Sequence, residues 1–522
     1  MSRHYVTTAI DYPNAAPHMG HVLEKILADV IARWFRLKGD EVRFQIGTDE
    51  HGIKMQKTAE KQGITPEQLV DKNVPLFEDL YSKLHVSADI FMRTSDRAVT
   101  WPNVASIQHR PTVEVLWMKL QEAGALEKRT YTGLYCSGCE RFVTAKDLVD
   151  GKCPDHNLVP EEVKEENWFF TLSKKQDDLL NLLDKSYKII PNYRAEETLT
   201  LLRGGLEDVS FSRPKNSLSW GIPIPGEPDQ TMYVWCDALT NYISGLGLLT
   251  DRAQPEFWDD AKITHVIGKD IARFHALIWP AMLQYAGIKT PDQLLIHGFV
   301  TNEGQKMSKS LGNVVDPVDV LKKFNGNPDP IRFFLCHEIP VGRDGDFSWK
   351  RLEEIYQSKL GNQLGNMLNR TLVLLGKDDK VVQINAKASD SERLMNEWST
   401  YSEAMDRFEI HSALQQVTNF VSLMNVGFND SAPWKLKEEP ELRITTLGSF
   451  AESLRHTALM LLPFVPNTAY RISKQLNVPY AEQMLGKDFV ITDDMKKWGG
   501  IKEWSEVGEP SILFAPLESE LA

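Results

Sequence analysis

From residue 1 to about residue 110 the chain alternates between strand and helix patterns, and this alternation limits the possible folds more than any other feature. Residues 5–10 are rich in β-formers, a turn-forming segment covers residues 11–17, and an amphipathic helical pattern follows. That pattern rests on apolar residues spaced four apart, namely Val22, Ile26, Val30 and Trp34. A strand near residues 42–46 and helices at about 53–61 and after Pro66 continue the rhythm. Such alternation predicts an α/β fold with a doubly wound, Rossmann-like parallel sheet.

The composition is typical of a globular protein with two to four domains. The chain has 522 residues, of which 42% are apolar and 25% are charged. No run approaches the ~18 apolar residues of a membrane span, and the first residues lack a signal-peptide pattern, so we predict a cytoplasmic location without membrane contact. The net charge of −13 argues against non-specific binding of nucleic acid, but a local basic surface stays possible.

The strand and helix rhythm breaks once and later stops, which divides the chain into four segments. A cysteine cluster, an acidic stretch and a turn-rich run interrupt it, and long 3.6-residue patterns replace it after about residue 350. The prediction is a Rossmann-like catalytic domain in two halves (1–111 and 231–350), a connective insertion between them (112–230) and a helical bundle (351–522).

His18 and His21 belong to the sequence "HMGH" at the predicted start of the first helix. Unpaired backbone N–H groups and the positive end of the helix dipole favour an anion at this point. A histidine here can instead be only a helix cap, and Gly20 can serve only helix-to-sheet packing. Because an anion site explains both histidines together, we favour phosphate binding.

Residues 306–310 read "KMSKS" between Gly304 and Gly312, just after a predicted strand. Two lysines and two serines suit a polyphosphate whose charge must be neutralised as it leaves. Alone, a lysine-rich pentapeptide is usually a solvated loop. Together with HMGH it is predicted to lie at the carboxyl ends of strands, where nucleotides bind in a doubly wound sheet.

Six segments along the chain show a resemblance to a known family. They read "NAAPHMGH", "IGTDEHG", "YVWCDALTNYISGL", "HVIGKDIARFHALIWPAML", "KMSKSLGN" and "SAPWKL". Over essentially its whole length the chain resembles the class I aminoacyl-tRNA synthetases, whose signatures are HIGH and KMSKS, and within them the methionyl-tRNA synthetases. The resemblance implies ATP-dependent activation of L-methionine to methionyl-adenylate, and transfer to the 3′-terminal ribose of tRNA(Met) for initiation and elongation.

The resemblance also implies how ATP is bound. His18 and His21 would donate hydrogen bonds to the phosphates, where charge builds in the transition state. Lys306 and Lys309 would hold the β- and γ-phosphates, and Mg²⁺ would accompany ATP. The other predicted ATP-binding residues are Gly20, Lys269, Met307, Ser308 and Ser310.

An unbranched thioether needs an apolar pocket lined by aromatic rings, and the resemblance places one around several segments. Asp49 would bind the substrate ammonium, while Tyr12 and His275 would offer polar hydrogens to the sulfur. The predicted methionine-binding residues are Ala9, Ile10, Tyr12, Asp49, Trp235, Ala238, Tyr242, Asp270, Ile271, Phe274, His275 and Trp279. Asp11 and Leu239 depart from the family pattern, because relatives often carry Pro or Tyr at the first position and Pro at the second.

A cysteine cluster, "YCSGCERFVTAKDLVDGKCPDH", lies within the insertion. The candidate ligands, a CxxC pair and a CxxH pair, are Cys136, Cys139, Cys153 and His156. Three thiolates and one imidazole form a closed tetrahedral site typical of structural Zn²⁺. Unpaired buried thiols are the alternative, although four ligands at this spacing rarely occur by chance. The other two cysteines are predicted to pack in the core.

The helical segment contains "NMLNR" and "SAPWK". By resemblance, Asn366, Arg370 and Trp434 would read the CAU anticodon of tRNA(Met). Without the resemblance, a capped helix with a buried tryptophan is the better interpretation. The chain ends near residue 522 without the appended C-terminal module of some relatives, which predicts a monomer.

Other functions fit parts of the pattern. A simpler nucleotidyltransferase shares the HxGH element but does not need about 170 residues of helical bundle. A catalytically inactive RNA-binding protein on this scaffold is disfavoured by the intact HMGH and KMSKS. The insertion of about 120 residues is short for the editing domain of the isoleucyl, valyl and leucyl enzymes. A cysteinyl enzyme would carry zinc in its amino-acid pocket.

Overall fold

The computed structural model describes residues 1–101, 107–137, 141–143, 147–154, 157–307, 313–384 and 388–517. Its strands are β1 (Arg3–Thr8), β2 (Glu41–Thr48), β3 (Ile90–Arg93), β4 (Leu126–Cys136), β5 (Arg141–Val143), β6 (Glu161–Phe170), β7 (Lys188–Ile190), β8 (Val209–Ser210), β9 (Ser212–Pro214), β10 (Pro223–Ile224), β11 (Glu227–Met232), β12 (Lys262–Gly268), β13 (Gln293–His297), β14 (Val300–Asn302), β15 (Gln305–Lys306) and β16 (Gly345–Phe347).

The helices connect these strands and then dominate the last third of the described chain. They are α1 (Met19–Leu37), α2 (Ile53–Gln62), α3 (Pro66–Lys83), α4 (Arg110–Glu122), α5 (Gln176–Lys185), α6 (Asn192–Arg203), α7 (Val234–Leu239), α8 (Asn241–Ser244), α9 (Trp279–Ala286), α10 (Pro317–Lys323), α11 (Asp329–Glu338), α12 (Trp349–Ile355), α13 (Asn366–Leu375), α14 (Ala388–Asp406), α15 (Ile410–Ser431), α16 (Pro440–Leu461), α17 (Pro466–Gln475) and α18 (Asp493–Lys496). Two segments, Phe274–Ile278 and Tyr356–Gly365, are π-helical.

Six parallel strands form the central sheet, in the order β3-β2-β1-β12-β13-β7. The order runs outward from β1 on one side and from β12 on the other, as in doubly wound folds. The carboxyl ends of these two neighbouring strands therefore border a crevice. This arrangement confirms the predicted α/β fold with a parallel sheet, and the strand predicted near residues 42–46 and the helix predicted at 53–61 correspond to β2 and α2.

Helix α1 is buried on nearly every side. The four apolar residues that predicted it are at most 3% exposed, but the polar residues Glu24, Lys25 and Asp29 are also buried. A helix that is buried all round lies inside a larger core. One side of α1 contacts β1, β2 and β12, and another contacts α11.

The segment between β3 and β12 forms mostly small antiparallel sheets. In one of them β4 pairs with β6 from Leu126↔Phe170 to Tyr135↔Glu161, and β9, β10 and β11 form another. Strand β7 behaves differently, because it pairs in parallel with β13 and completes the central sheet. The segment predicted as an insertion thus supplies one strand of the sheet that it interrupts. A three-residue strand is too short to leave a recognisable pattern in the sequence, and the four segment boundaries stay predictions.

The described chain after β16 is mainly helical up to Lys496. Helices α13, α15 and α16 pack against one another, and α11 connects them to the sheet through contacts with α1, α15 and α17. Their apolar side chains belong to the same continuous core as those of α1. Within the described ranges, we find no helix with the length and apolar character that a bilayer crossing requires.

Candidate active site

The loop after β1 continues the sheet contacts beyond the end of the strand. The N–H of Ala9 donates to a carbonyl of β12 (3.1 Å), and the N–H of Asp11 donates to the carbonyl of Gly47 (2.8 Å). The carbonyl of Asp11 accepts the N–H of Asp49 (2.8 Å). Gly47 is required at this contact, because a Cβ there would lie 2.3 Å from a carbonyl oxygen of β3. The loop is therefore held between β2 and β12 at the edge of the crevice.

The two histidines of HMGH cap the start of α1. His18 is the N-cap residue, its Nδ1 accepts the N–H of Gly20 (3.2 Å), and Nδ1 of His21 accepts the N–H of His18 (3.1 Å). Because each Nδ1 is an acceptor, each neutral ring carries its proton on Nε2, the nitrogen farther from the backbone that it caps. The rings stack with centroids 3.9 Å apart. Each ring can thus cap the helix through Nδ1 and still carry a hydrogen-bond donor at Nε2.

Gly20 is needed for this arrangement of the rings. A Cβ at this position would lie 3.0 Å from Cε1 of His18. That distance is tighter than most contacts of a Cβ, so a larger residue would require the N-cap imidazole to move by a few tenths of an ångström. The glycine therefore makes room for the ring of His18.

Five predicted methionine-binding side chains meet in one cluster beside β12. Trp235 and Phe274 stack with centroids 3.8 Å apart and planes inclined by 7°. The hydroxyl of Tyr242 lies 2.7 Å from Nε2 of His275, and the Trp279 ring lies 5.8 Å from that of Tyr242. The stacked pair is half-buried and the other three side chains are buried. The result is an aromatic wall in which two rings, those of Trp235 and Phe274, remain partly exposed.

The ring of His275 is an acceptor toward Tyr242. Its Nδ1 lies 3.0 Å from the carbonyl of Ile271, so Nδ1 carries the hydrogen and Nε2 accepts from the Tyr242 hydroxyl. Burial lowers the pKa of His275 to about 4, which keeps the ring neutral. The hydroxyl of Tyr12 likewise donates to the carbonyl of His51 (2.6 Å). In this structure the polar hydrogens of Tyr12 and His275 are thus donated to backbone carbonyls, and their predicted contact with a substrate sulfur stays a prediction.

A histidine also lies beneath the aromatic wall, and sequence analysis missed it. Nε2 of His265 accepts the indole N–H of Trp279 (3.2 Å), so its Nδ1–H donates to the Thr7 hydroxyl (2.6 Å). Burial lowers the pKa of His265 well below its ordinary value. The ring stacks on Tyr242 at 4.1 Å. A histidine inside the buried strand segment "ITHVIG" was the available signal, since a buried polar ring must find partners.

Asp237 joins two histidines that sequence analysis did not assign. Its carboxylate lies 2.6 Å from Nδ1 of His51 and 2.7 Å from Nε2 of His109, whose other nitrogen lies 2.7 Å from the Ser244 hydroxyl. Burial would raise the pKa of Asp237, but His51 and the two hydrogen bonds lower it to about 2. Burial would lower the pKa of His51, but Asp237 raises it overall. His51 and Asp237 lie in the family segments "TDEHG" and "YVWCDAL", so the sequence did contain a signal for them.

We expect the Asp237–His51 pair to make stability depend on pH in two ranges. The pKa of Asp237 is lowered from 3.8 to about 2, so its contribution of about 2 kcal/mol is present above pH 4 and is lost as the pH falls toward 2. The pKa of His51 is raised above 6.5, so its contribution is present below pH 6.5 and is lost as the pH rises through the folded-state pKa.

Urea unfolding midpoints measured from pH 2 to pH 9 test this dependence. Asp237→Asn should flatten both limbs, because the amide does not itself ionise and does not raise the pKa of His51. A profile that keeps both limbs in the variant would show that other groups cause them.

Lys269 is paired in this structure. Its ammonium lies 2.7 Å from both carboxylate oxygens of Asp344 and 4.4 Å from the centre of the Phe299 ring. Burial would raise the pKa of Asp344, but the hydrogen bond from Lys269 holds it below its ordinary value. Lys269 thus lies at the carboxyl end of β12, as predicted, and a phosphate there would compete with Asp344.

The other predicted site residues lie around the same crevice or outside the described ranges. Asp49 and Ala238 are buried, Asp270 is exposed, and the half-buried residues are Ala9, Ile10, Tyr12 and Ile271. The backbone of Lys306 is in β15, which pairs with β14, and Met307 packs against the main core. Ser308, Lys309 and Ser310 lie outside the described residues.

Two of the four candidate zinc ligands come together. Cys136 ends β4 and is buried, and Cys153 is also buried. Both thiols belong to one small apolar cluster with Val143. Cys139 and His156 lie outside the described residues, and the residues that are described contain no group of three or more potential metal ligands.

The three anticodon candidates lie on the surface of the helical part. Asn366 is exposed at the start of α13, one turn from Arg370. The guanidinium of Arg370 lies 4.5 Å from the Phe428 ring centre and 5.4 Å from that of Trp434, and it donates to the side chain of Asn429 (3.0 Å). Trp434 is 37% exposed, so it is not the buried tryptophan of the alternative interpretation.

Comparison with known protein families gives one consistent result. The family described as "tRNA synthetases class I (M)" matches residues 4–161 and 156–372. The methionine–tRNA ligase of Rickettsia conorii is 37% identical to this chain over 99% of both chains. That of Rhizobium meliloti is 40% identical over 91% of this chain and 92% of its own.

A solved structure also resembles this one. It is a Mycobacterium tuberculosis methionyl-tRNA synthetase in complex with methionyl-adenylate. The two structures superpose with a TM-score of 0.87 at 34% sequence identity, over 98% of this chain and 100% of the other. The similarity thus covers the sheet, the middle segment and the helical part together.

Proposed function

Because this chain belongs to the methionine branch of the class I tRNA synthetases, we propose that it is a methionine–tRNA ligase that uses ATP to attach L-methionine to tRNA(Met). The observation that carries the proposal is the position of two features at the carboxyl ends of neighbouring strands. The histidine-capped start of α1 follows β1, and the Trp235–Phe274 wall lies beside the end of β12. A nucleotide and an apolar amino acid can thus meet in one crevice.

In the proposed first step, a carboxylate oxygen of methionine attacks the α-phosphorus of ATP. A new P–O bond forms, the bond to the bridging oxygen of the β-phosphate breaks, and pyrophosphate leaves with the electron pair. We assign the Nε2–H groups of His18 and His21 to the α-phosphate oxygens, where charge increases in the transition state. Lys306 and Lys309 are assigned to the leaving pyrophosphate, and Mg²⁺ arrives with ATP.

In the proposed second step, a hydroxyl of the 3′-terminal ribose of tRNA attacks the carbonyl carbon of the adenylate. A C–O ester bond forms, the bond from that carbon to the phosphate oxygen breaks, AMP leaves with the electron pair, and the hydroxyl proton passes to a phosphate oxygen of AMP or to water. The described residues do not offer an obvious strong base at HMGH, because both Nδ1 atoms are occupied by backbone N–H groups. Positioning and charge stabilisation are therefore the chemistry that these residues support best.

Selection of methionine is assigned to the aromatic wall. Trp235 and Phe274 are half-buried and stacked, so their ring edges can contact a flexible thioether. Tyr242 and His275 bond to each other, which leaves them as a shaped surface and not as donors to the substrate. Asp49, buried at the end of β2, is assigned to the substrate ammonium.

Amino-acid-dependent ATP–pyrophosphate exchange tests this function. The purified chain is offered each of the twenty amino acids in turn, and we expect exchange with methionine above all others. Exchange with leucine or cysteine but not with methionine would overturn the specificity. A lack of exchange with every amino acid would favour a non-catalytic RNA-binding function.

We assign the helical part, residues 351–522, to the tRNA anticodon. Support comes from the exposed Asn366 beside Arg370, and from Trp434, whose partly exposed ring can stack on an unpaired base. Residues 1–111 and 231–350 are assigned to catalysis and 112–230 to a connective insertion. A cytoplasmic location and a monomeric state remain predictions.

We also assign structural Zn²⁺ to the insertion. The support is that two buried thiols, Cys136 and Cys153, share one small cluster, and two thiolates are half of a tetrahedral donor set. Cys139 and His156 are the predicted remaining ligands. The metal would stabilise the fold of the insertion and take no part in the reaction.

Metal analysis is expected to find about one zinc per purified chain, because four ligands close one tetrahedral site. Cys136→Ser should lower this content and the thermal stability. The control is Cys236→Ser, which changes a buried thiol outside the cluster and should keep the zinc. Undiminished zinc in the Cys136→Ser protein would contradict the assignment.

A further inference from the structure

A buried lysine lies directly beneath the loop that follows β1. The side chain of Lys25, on α1, is fully buried. Its ammonium donates to the carbonyl of Ala9 (3.0 Å), to the carboxylate of Asp11 (2.9 Å) and to that of Glu24 (2.7 Å). An ammonium has three N–H donors, so these three bonds use all of them. The position of Lys25 is therefore fixed relative to the loop.

The second partner, Asp11, is fixed just as completely. Its other carboxylate oxygen accepts the hydroxyl of Tyr81 (2.6 Å), and its side chain is 4% exposed. Its backbone N–H and carbonyl bond to Gly47 and Asp49 at the end of β2. Asp11 thus connects the buried lysine to the backbone of Asp49, the residue assigned to the substrate ammonium.

Stability alone does not explain a charged group at this place. Removing ions from water costs several kcal/mol each, and a well-packed apolar side chain of similar volume is often at least as stable as a buried ion pair. An apolar side chain cannot, however, donate a directed hydrogen bond to a backbone carbonyl. Lys25 holds the Ala9 carbonyl, and so the course of the backbone between Ala9 and Tyr12.

We propose that Lys25 and Asp11 are positioning residues for the amino-acid subsite. They hold Ala9, Ile10 and Tyr12, together with the backbone of Asp49, in the arrangement that accepts the substrate. The inference rests on the proposed function, because it assumes that these residues face the amino acid. It adds two residues that contact the loop from behind, and one of them, Asp11, departs from the family pattern.

The pair also connects to the opposite side of the crevice. The second carboxylate oxygen of Glu24 lies 3.2 Å from Nε2 of His297, whose Nδ1 lies 2.7 Å from the carbonyl of Gly298. His297 ends β13, and β14 and β15 follow it. The amino-acid loop, the HMGH helix and the end of β13 are therefore joined by one chain of buried bonds. We expect the main effect on the amino acid, because the direct bonds of Lys25 are to Ala9 and Asp11.

Steady-state ATP–pyrophosphate exchange with Lys25→Met, Asp11→Asn and the double variant tests the proposal. For Lys25→Met we expect KM for methionine to rise about 10-fold, as one charge-assisted hydrogen bond would predict, with KM for ATP changed less than about twofold. Lys25→Met leaves the carboxylates of Asp11 and Glu24 without their shared cation, and the double variant removes one of these two charges. It should therefore fold better than Lys25→Met, yet keep the raised KM for methionine. For Asp11→Asn alone we expect a smaller rise in KM for methionine.

Arg455→Met is the matched control. Arg455 is another fully buried cation, bonded to the buried Glu452 (2.7 and 2.8 Å) in α16. Its replacement should lower thermal stability by a similar amount but leave both KM values unchanged. The proposal is overturned if the Lys25 variants change KM for methionine and ATP equally, or lower only the amount of active enzyme. Failure of the proposed function itself would appear differently, as wild-type protein without methionine-dependent exchange.

Discussion

Replacing His21 with alanine is expected to slow methionine-dependent ATP–pyrophosphate exchange about 10²- to 10³-fold at saturating substrates. The reason is that Nδ1 of His21 accepts the N–H of His18, so the proton of the neutral ring lies on Nε2 and can be donated to the α-phosphate. Removing one such donor from a transition state typically has an effect of this size. The rate at saturation is the measurement, with KM for both substrates determined alongside.

His21→Glu separates catalysis from helix capping. His21 is the third residue of α1 and completes a capping box with His18. Glutamate is a preferred residue at that position and accepts the same N–H, but it has no hydrogen to donate to a phosphate. We expect the alanine variant to lose about 1 kcal/mol of stability and the glutamate variant to recover it. Exchange should stay low in both, and recovered exchange in the glutamate variant would show that His21 acts only as a cap.

Local signals were sufficient for the parts of the fold and site that neighbouring residues determine. The helix predicted at about 53–61 is found as Ile53–Gln62, and Gly63 has the left-handed φ of 66° that ends such helices. The HMGH helix start was predicted in the same way. The sequence could not show that the two imidazoles cap the helix through Nδ1, because this depends on ring rotation.

Long-range contacts account for most of what sequence analysis missed. Strand β7 has three residues, and its place beside β13 depends on a partner about 100 residues away. From the sequence, Lys25 would be interpreted as a solvent-exposed helix residue, because charged side chains usually face water. The signal against this interpretation was weak: α1 carries apolar residues on more than one face, which indicates a helix enclosed by the core.

Replacing Arg332 with methionine is expected to destabilise the protein by about 3–5 kcal/mol, because it breaks a buried ion pair from one side only. Arg332 and Asp29 are both 0% exposed and lie 2.7 Å apart. The guanidinium also donates to the carbonyls of Phe464 (2.6 Å), Pro463 (3.1 Å) and Leu84 (3.2 Å). Methionine fills a similar volume but leaves three carbonyls and a carboxylate with fewer donors. The measurement is the urea concentration at the midpoint of the change in tryptophan fluorescence. The midpoints of variant and wild type are compared directly, because a chain of this size need not unfold in one step.

Lys83→Met is the control for loss of a cation alone. Lys83 pairs with Asp79 at 2.6 Å, but both side chains are more than half exposed, so we expect a change within about 0.5 kcal/mol. Adding Asp29→Asn to Arg332→Met should cost less than the sum of the single changes, because the interaction between the two residues is then lost only once. A small effect of Arg332→Met, near that of Lys83→Met, would mean that water reaches this site. Arg332 would then not be what joins the middle of α1 to the turn between α16 and α17, and the packing of apolar side chains alone would hold the catalytic helix against the helical part.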